Sequence, residues 1–133
     1  MNNKVFVDTN YFLRYLVGDN KEQFEQVKQL LEEGLVGKAE LLTNNVVIFE
    51  IYWVLSSFYG EQKQKCIELV DKILQLEFVE LEDREVILEA VDMFLQTGLE
   101  FEDCYHLAYC MDRSVKSIAT FDRKMLKEFK QRV

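Results

Sequence analysis

The sequence predicts an α/β fold: a parallel sheet with helices on both of its faces. Three observations carry this. Short apolar runs with strand character recur at residues 4–8, 78–81 and 115–122. The stretches between them space their apolar residues at helical intervals. Strands that alternate with helices in this way pair in parallel, because each helix carries the chain back over the sheet.

The elements follow in order. "KVFVD" packs Val5, Phe6 and Val7 ahead of Asp8 and reads as a strand over 4–8, followed by a helix over 10–17 with Phe12, Leu13 and Leu16. "DNKEQFEQVKQLLEEG" sets Phe24, Val27, Leu30 and Leu31 on one face, with Asp19 or Asn20 as cap and Gly34 as stop. "ELLTNN" is a brief strand ending near Thr43. "VVIFEIYWVLSSFYG" is apolar almost all round, which predicts a helix buried on most sides and ending near Gly60. Cys66, Ile67, Val70, Ile73 and Leu74 mark another helix, "FVEL" a strand, and Val86 to Leu95 a helix closed by Gly98. A helix from about Glu102 and the strand "VKSIATFD" come next, so four strands are expected. The last segment, "RKMLKEFKQRV", fits a helix.

With 133 residues, 49% of them hydrophobic, the chain suits one domain with one core. There is no Pro, no linker composition and no repeat. The apolar runs are too short to span a bilayer and "MNNKVFVD" has neither the length nor the cleavage site of a signal peptide, so the cytoplasm is the expected compartment. Cys66, Cys104 and Cys110 form no CxxC pair, and reduced, packed thiols are expected. The net charge of −8 argues against a sequence-blind nucleic-acid binder. Its distribution is uneven: from residue 113 onward seven bases face two acids, a net +5, which leaves −13 on residues 1–112. The basic end can face a polyanion or be a solvated helix face.

Four acids stand out by position. Asp8 and Asp122 each end an apolar strand, and in a parallel sheet the carboxyl edge is where ligands bind. Asp8 can equally cap the helix after it. Glu50 interrupts an apolar helix, where a carboxylate needs a salt-bridge partner or a cation. Asp103 stands at a helix start beside Glu102, where capping is the alternative. Two carboxylates 4 Å apart repel by roughly 4 kcal/mol at an effective dielectric of 20, so several at one edge require a cation. A hard divalent ion, Mg²⁺ or Mn²⁺, suits such oxygens and supports hydrolysis of phosphodiesters.

In "VFVDTNYFLRYL", "TNNVVIFEIYWVL", "LEFEDCYHLAYC" and "SIATFDRKML" the chain resembles the PIN domain family, including the toxin nucleases of toxin–antitoxin pairs. The resemblance implies a three-layer α/β/α sandwich on a parallel sheet and RNA cleavage dependent on Mg²⁺ or Mn²⁺. It also implies frequent homodimers and, for a toxin, a cognate antitoxin. Asp8 and Asp103 would be metal ligands, Glu50 and Asp122 the other acids of the site, and Asn10 and Thr120 polar supports. The family usually adds a fifth strand after the Asp122 segment, where this chain has its helix-like end. Arg123, Lys124 and Lys127, next to Asp122, are expected to contact RNA phosphates. His106 lies on the helix face of Asp103 and reads as a surface or half-packed residue rather than a catalytic base, since a bound metal already supplies activated water. Phe49, Tyr52, Trp53 and Phe58 read as core.

Other folds with acids at strand ends fail on particular residues. A phosphorelay receiver needs a phosphoacceptor Asp after a middle strand, and "FVEL" leads only to Glu80 and Glu82. A haloacid-dehalogenase-type phosphatase needs Asp where Asn10 stands, and no Gly-rich loop follows any strand. The remaining alternative is a PIN-like domain that binds RNA or protein without cutting.

Overall fold

The first apolar run does form a strand, Lys4–Phe6 (β1), two residues shorter than predicted. The structure, a computed structural model, describes residues 3–133. It divides into two compact units, Met1–Glu82 and Asp83–Val133.

In the first unit β1 pairs in parallel with Glu40–Leu42 (β2), which pairs in parallel with Val79–Glu80 (β3). Val5 faces Leu41 and Phe6 faces Leu42 across the first ladder, and Leu42 faces Glu80 across the second. The helices of this unit are Thr9–Val17 (α1), Lys21–Leu35 (α2), Asn45–Ser57 (α3) and Lys63–Leu74 (α4). β1 and β2 each hand over to a helix near their carboxyl ends, and α2 and α4 lead the chain to the next strand, as a parallel arrangement requires. Val7, Phe12, Leu41, Ile48, Ile51, Leu55, Ile67 and Val70 are among the fully buried side chains.

Local chemistry sets the helix ends. Asn20 caps α2 by accepting from the Gln23 N–H at 3.0 Å, and Asn44 caps α3 by accepting from Val47 at 3.1 Å. Gly18, at φ 70°, closes α1 in the left-handed conformation and sends its N–H to the Arg14 carbonyl. Gly34, expected as the stop of α2, lies inside the helix, which continues to Leu35. It is there for space: a Cβ on Gly34 would sit 2.5 Å from Leu41 Cδ1 and 3.2 Å from Phe78. Glycine lets α2 lie close against β2.

The second unit is helical, with Arg84–Gln96 (α5) packed on Phe101–Asp112 (α6) and α6 on Arg123–Arg132 (α7). Phe94 meets Phe101 edge to face, with centroids 6.5 Å apart. The Tyr105 hydroxyl donates to Asp83 at 2.8 Å, tying α6 to the start of α5.

The fourth strand expected over 115–122 is not formed, so the described residues give three strands and not four or five. A ladder needs backbone groups free to reach a neighbour, and here both ends of the run turn back on themselves. The Val115 N–H donates to Cys110 at 2.9 Å, after Ser114 takes a positive φ of 55°. The Asp122 N–H donates to the Thr120 hydroxyl.

α3 is buried on one face only, not on most sides. One face, Val47, Ile48, Ile51, Tyr52 and Leu55, is buried as expected. Its other face is open: Val46 is 63%, Trp53 62% and Phe58, just past the helix, 77% exposed. An almost uniformly apolar helix gives no periodicity from which to tell its buried face from its open one.

Candidate active site

Asp8 stands between β1 and α1, at the N-cap position, yet its carboxylate makes no capping hydrogen bond. It is exposed and held from beneath. Val7, one residue back, is buried, and its carbonyl accepts from the buried Thr43 hydroxyl at 2.9 Å while its N–H donates to Leu42. Thr9, one residue on, is buried and its hydroxyl has no hydrogen-bond partner among the described residues. A buried hydroxyl left unpaired costs about 1–3 kcal/mol, so the position favours a water or ligand that can pair with it. Asn10, the second residue of α1, is exposed.

Glu50, in the second turn of α3, is exposed, so the burial argument that drew attention to it does not hold. A carboxylate on an open helix face needs neither a salt bridge nor a cation to be tolerated. Any role for it must rest on its place on a helix that starts at the carboxyl end of β2.

In the second unit, Asp103 is the third residue of α6, half-buried, while the N-cap position belongs to Glu100. Its capping alternative therefore falls away, though a carboxylate in the first turn still interacts favourably with the helix dipole. Asp122 is the acid that does cap: its Oδ1 accepts from the Met125 N–H at 3.0 Å and starts α7. Its own N–H donates to Thr120 Oγ1 at 3.0 Å, so Thr120 orients the backbone of Asp122. Arg123, Lys124 and Lys127 follow on α7, all exposed. His106 is exposed. Burial pushes the Cys66 and Cys104 thiols up, which keeps them protonated and unreactive.

Asp8 and Glu50 thus belong to the first unit, Asp103 and Asp122 to the second. Within neither unit, among the described residues, do three His, Cys, Asp or Glu side chains gather as ready ligands. A cavity of about 270 Å³ in the first unit, lined by Leu16, Leu55, Tyr59, Lys65 and Leu69 among others, contains neither Asp8 nor Glu50. Those two acids stand on open surface, where a polymer can reach them.

Sequence reasoning missed Thr43 and Tyr105. Thr43 braces the end of β1 next to Asp8, and its one visible signal is a hydroxyl placed directly after an apolar strand. Tyr105 had no signal, because its partner Asp83 lies 22 residues away.

The family model for the PIN domain matches residues 5–130. The chain belongs to the PIN domain family. It is 26% identical over 121 residues to the VapC ribonuclease of Aquifex aeolicus (strain VF5), a match covering 91% of this chain and 89% of that protein. No solved structure matches it significantly. The PIN match spans all four acids and Arg123, Lys124 and Lys127. Among the described residues, no helix is long and apolar enough to cross a membrane.

Proposed function

We propose that this PIN domain is a metal-dependent endoribonuclease that hydrolyses RNA phosphodiesters, the toxin of a toxin–antitoxin pair. The observation that carries the reading is Asp8: a carboxylate at the carboxyl end of a parallel strand, in the family's Asp-Thr-Asn setting, that the following helix leaves uncapped. The similarity to a VapC ribonuclease supports the choice of RNA.

The residues fit Mg²⁺ or Mn²⁺. Such ions need only one or two protein carboxylates and keep several waters, so a preassembled cluster of three ligands is not required. Asp8 offers an oxygen pair committed to no cap, and the unpaired hydroxyl of Thr9, next in the chain, can hold a water. Asp8 and Asp103 would hold the ion, with Glu50 and Asp122 as the other acids. When bound, the ion lowers the pKa of a coordinated water and offsets charge on the phosphodiester. Glu50 and Asp122, which has one oxygen not engaged in the cap, would act directly or through water. Asn10 donates to a carboxylate or to substrate, and Thr120 keeps Asp122 in place. Arg123, Lys124 and Lys127 hold RNA phosphates.

The proposal extends to a single nuclease domain over residues 1–133, an α/β/α sandwich, a cytoplasmic homodimer and an antitoxin as protein partner. The test is incubation of the purified protein with a mixed RNA pool in Mg²⁺, in Mn²⁺ and in chelator. Cleavage with either ion that chelator stops is the expected result. RNA binding with no cleavage under any of the three conditions would replace this reading with that of a non-cutting PIN-like domain.

A further inference from the structure

Phe121 is fully exposed, at 106% of its reference area, although it lies in an ordered turn. Side-chain hydrogen bonds hold the backbone on both sides of it. The Asp122 N–H donates to Thr120 Oγ1 across Phe121, and Asp122 Oδ1 accepts from Met125. An apolar ring is thus presented to water by a braced turn, next to one acid of the proposed site. Scattered exposed hydrophobics are common, but this one is followed by Arg123, Lys124 and Lys127, all exposed, in a segment of net positive charge on an acidic chain.

A ring beside phosphate-binding cations is the arrangement by which proteins engage single-stranded nucleic acid: cations track the backbone and the aromatic face takes a base. We propose that Phe121 stacks on an unpaired base of the RNA, so that the substrate is single-stranded where it meets α7. This rests on the RNA reading above. An acidic protein surface would also suit the cations but gives no reason for a flat ring presented by a hydrogen-bonded turn. A base in a duplex is already stacked on its neighbours and is not available to the ring.

The test measures binding of a fluorescein-labelled single-stranded 12-nucleotide RNA of mixed sequence to the full chain carrying Asp8→Asn, so that the RNA survives. Adding Phe121→Ala should weaken binding roughly 5- to 150-fold, the range expected when one base–aromatic stack is removed. Phe121→Trp should restore it, with tryptophan emission falling as RNA is added relative to the Phe121 protein, whereas Phe121→Leu should not. The slope of affinity against salt should stay unchanged in Phe121→Ala, because every phosphate is still held. Thermal stability should also stay unchanged, because the ring is buried against nothing, so weakened binding cannot be put down to misfolding. In the active enzyme, Phe121→Ala should raise KM with little effect on kcat. Equal affinity in Phe121→Ala, or Leu serving as well as Trp, overturns the proposal. So does a change in oligomeric state with RNA affinity intact, which would make Phe121 a protein contact. If the Phe121 protein itself neither binds nor cuts RNA, the nuclease reading fails together with this one, and that outcome is distinct from the others.

Discussion

An aspartate at a helix start can serve either the backbone or a ligand, and Asp8 and Asp122 differ in this. Asp8 caps nothing, so Asp8→Asn should abolish RNA cleavage at every metal concentration while leaving the melting temperature unchanged, since an exposed carboxylate without a capping bond holds no part of the fold. Cleavage equal to wild type across a metal titration would remove Asp8 from the site. Asp122 accepts from Met125, so two substitutions there should separate its roles. Asp122→Asn keeps a capping oxygen and should lose activity without losing stability. Asp122→Ala should lose both, with about 0.5–2 kcal/mol of stability going with the cap. Paired melting and activity measurements read this directly. An active Asp122→Asn would make the residue a cap and nothing more.

Between elements, two interactions matter that no local pattern reveals. Replacing a helix-interior glycine with alanine usually helps a helix by up to about 1 kcal/mol. Gly34→Ala should instead destabilise by roughly 1–3 kcal/mol, because the new Cβ would lie 2.5 Å from Leu41 Cδ1, and buried Leu41 has little room to move. Chemical denaturation would show the sign. The Tyr105–Asp83 bond joins α6 to α5 and makes its own pH dependence. Desolvation, and next the hydrogen bond to Asp83, push the Tyr105 phenol up to about 12 from an ordinary 10. The folded protein keeps this proton where the unfolded chain releases it. The contribution is therefore fully present below pH 10 and disappears as pH rises through about 12. Tyr105→Phe should be less stable than wild type at neutral pH and should lose less stability over that alkaline window. Parallel curves for the two proteins would show that the bond contributes nothing.

At the scale of the whole molecule, charge is the controlling quantity. A polyanion approaching a chain of net −8 needs a local cationic path, and we propose that the exposed Arg123, Lys124 and Lys127 provide one. Replacing all three with Gln should weaken RNA binding and flatten its salt dependence by up to about 0.7 in log–log slope for each phosphate no longer held. Turnover at saturating RNA should change little, because these residues place substrate rather than activate water. An unchanged slope with unchanged KM would leave the basic end as a solvated face, with RNA entering elsewhere.

The sequence by itself determined the order and type of the elements up to residue 112, the cap of α2 to within Asp19 or Asn20, and the Asp-Thr-Asn and Thr-Phe-Asp stretches on which the resemblance to the family rests. Apolar periodicity and capping are local, acting over three or four residues, and can be read from one chain. Tertiary structure decided what depends on a distant partner. Residues 115–122 have strand composition and form no ladder, because pairing is a property of two segments and this one's end groups bond within the turn. Glu50, Trp53 and Phe58 look buried in an apolar run and are exposed, because burial depends on which face of α3 meets the neighbouring elements, and a helix without periodicity does not announce it. Asp8 and Asp122 occupy like positions in sequence, yet only Asp122 is spent as a cap. The backbones differ there, with ψ 167° at Asp8 and 111° at Asp122, which composition does not encode.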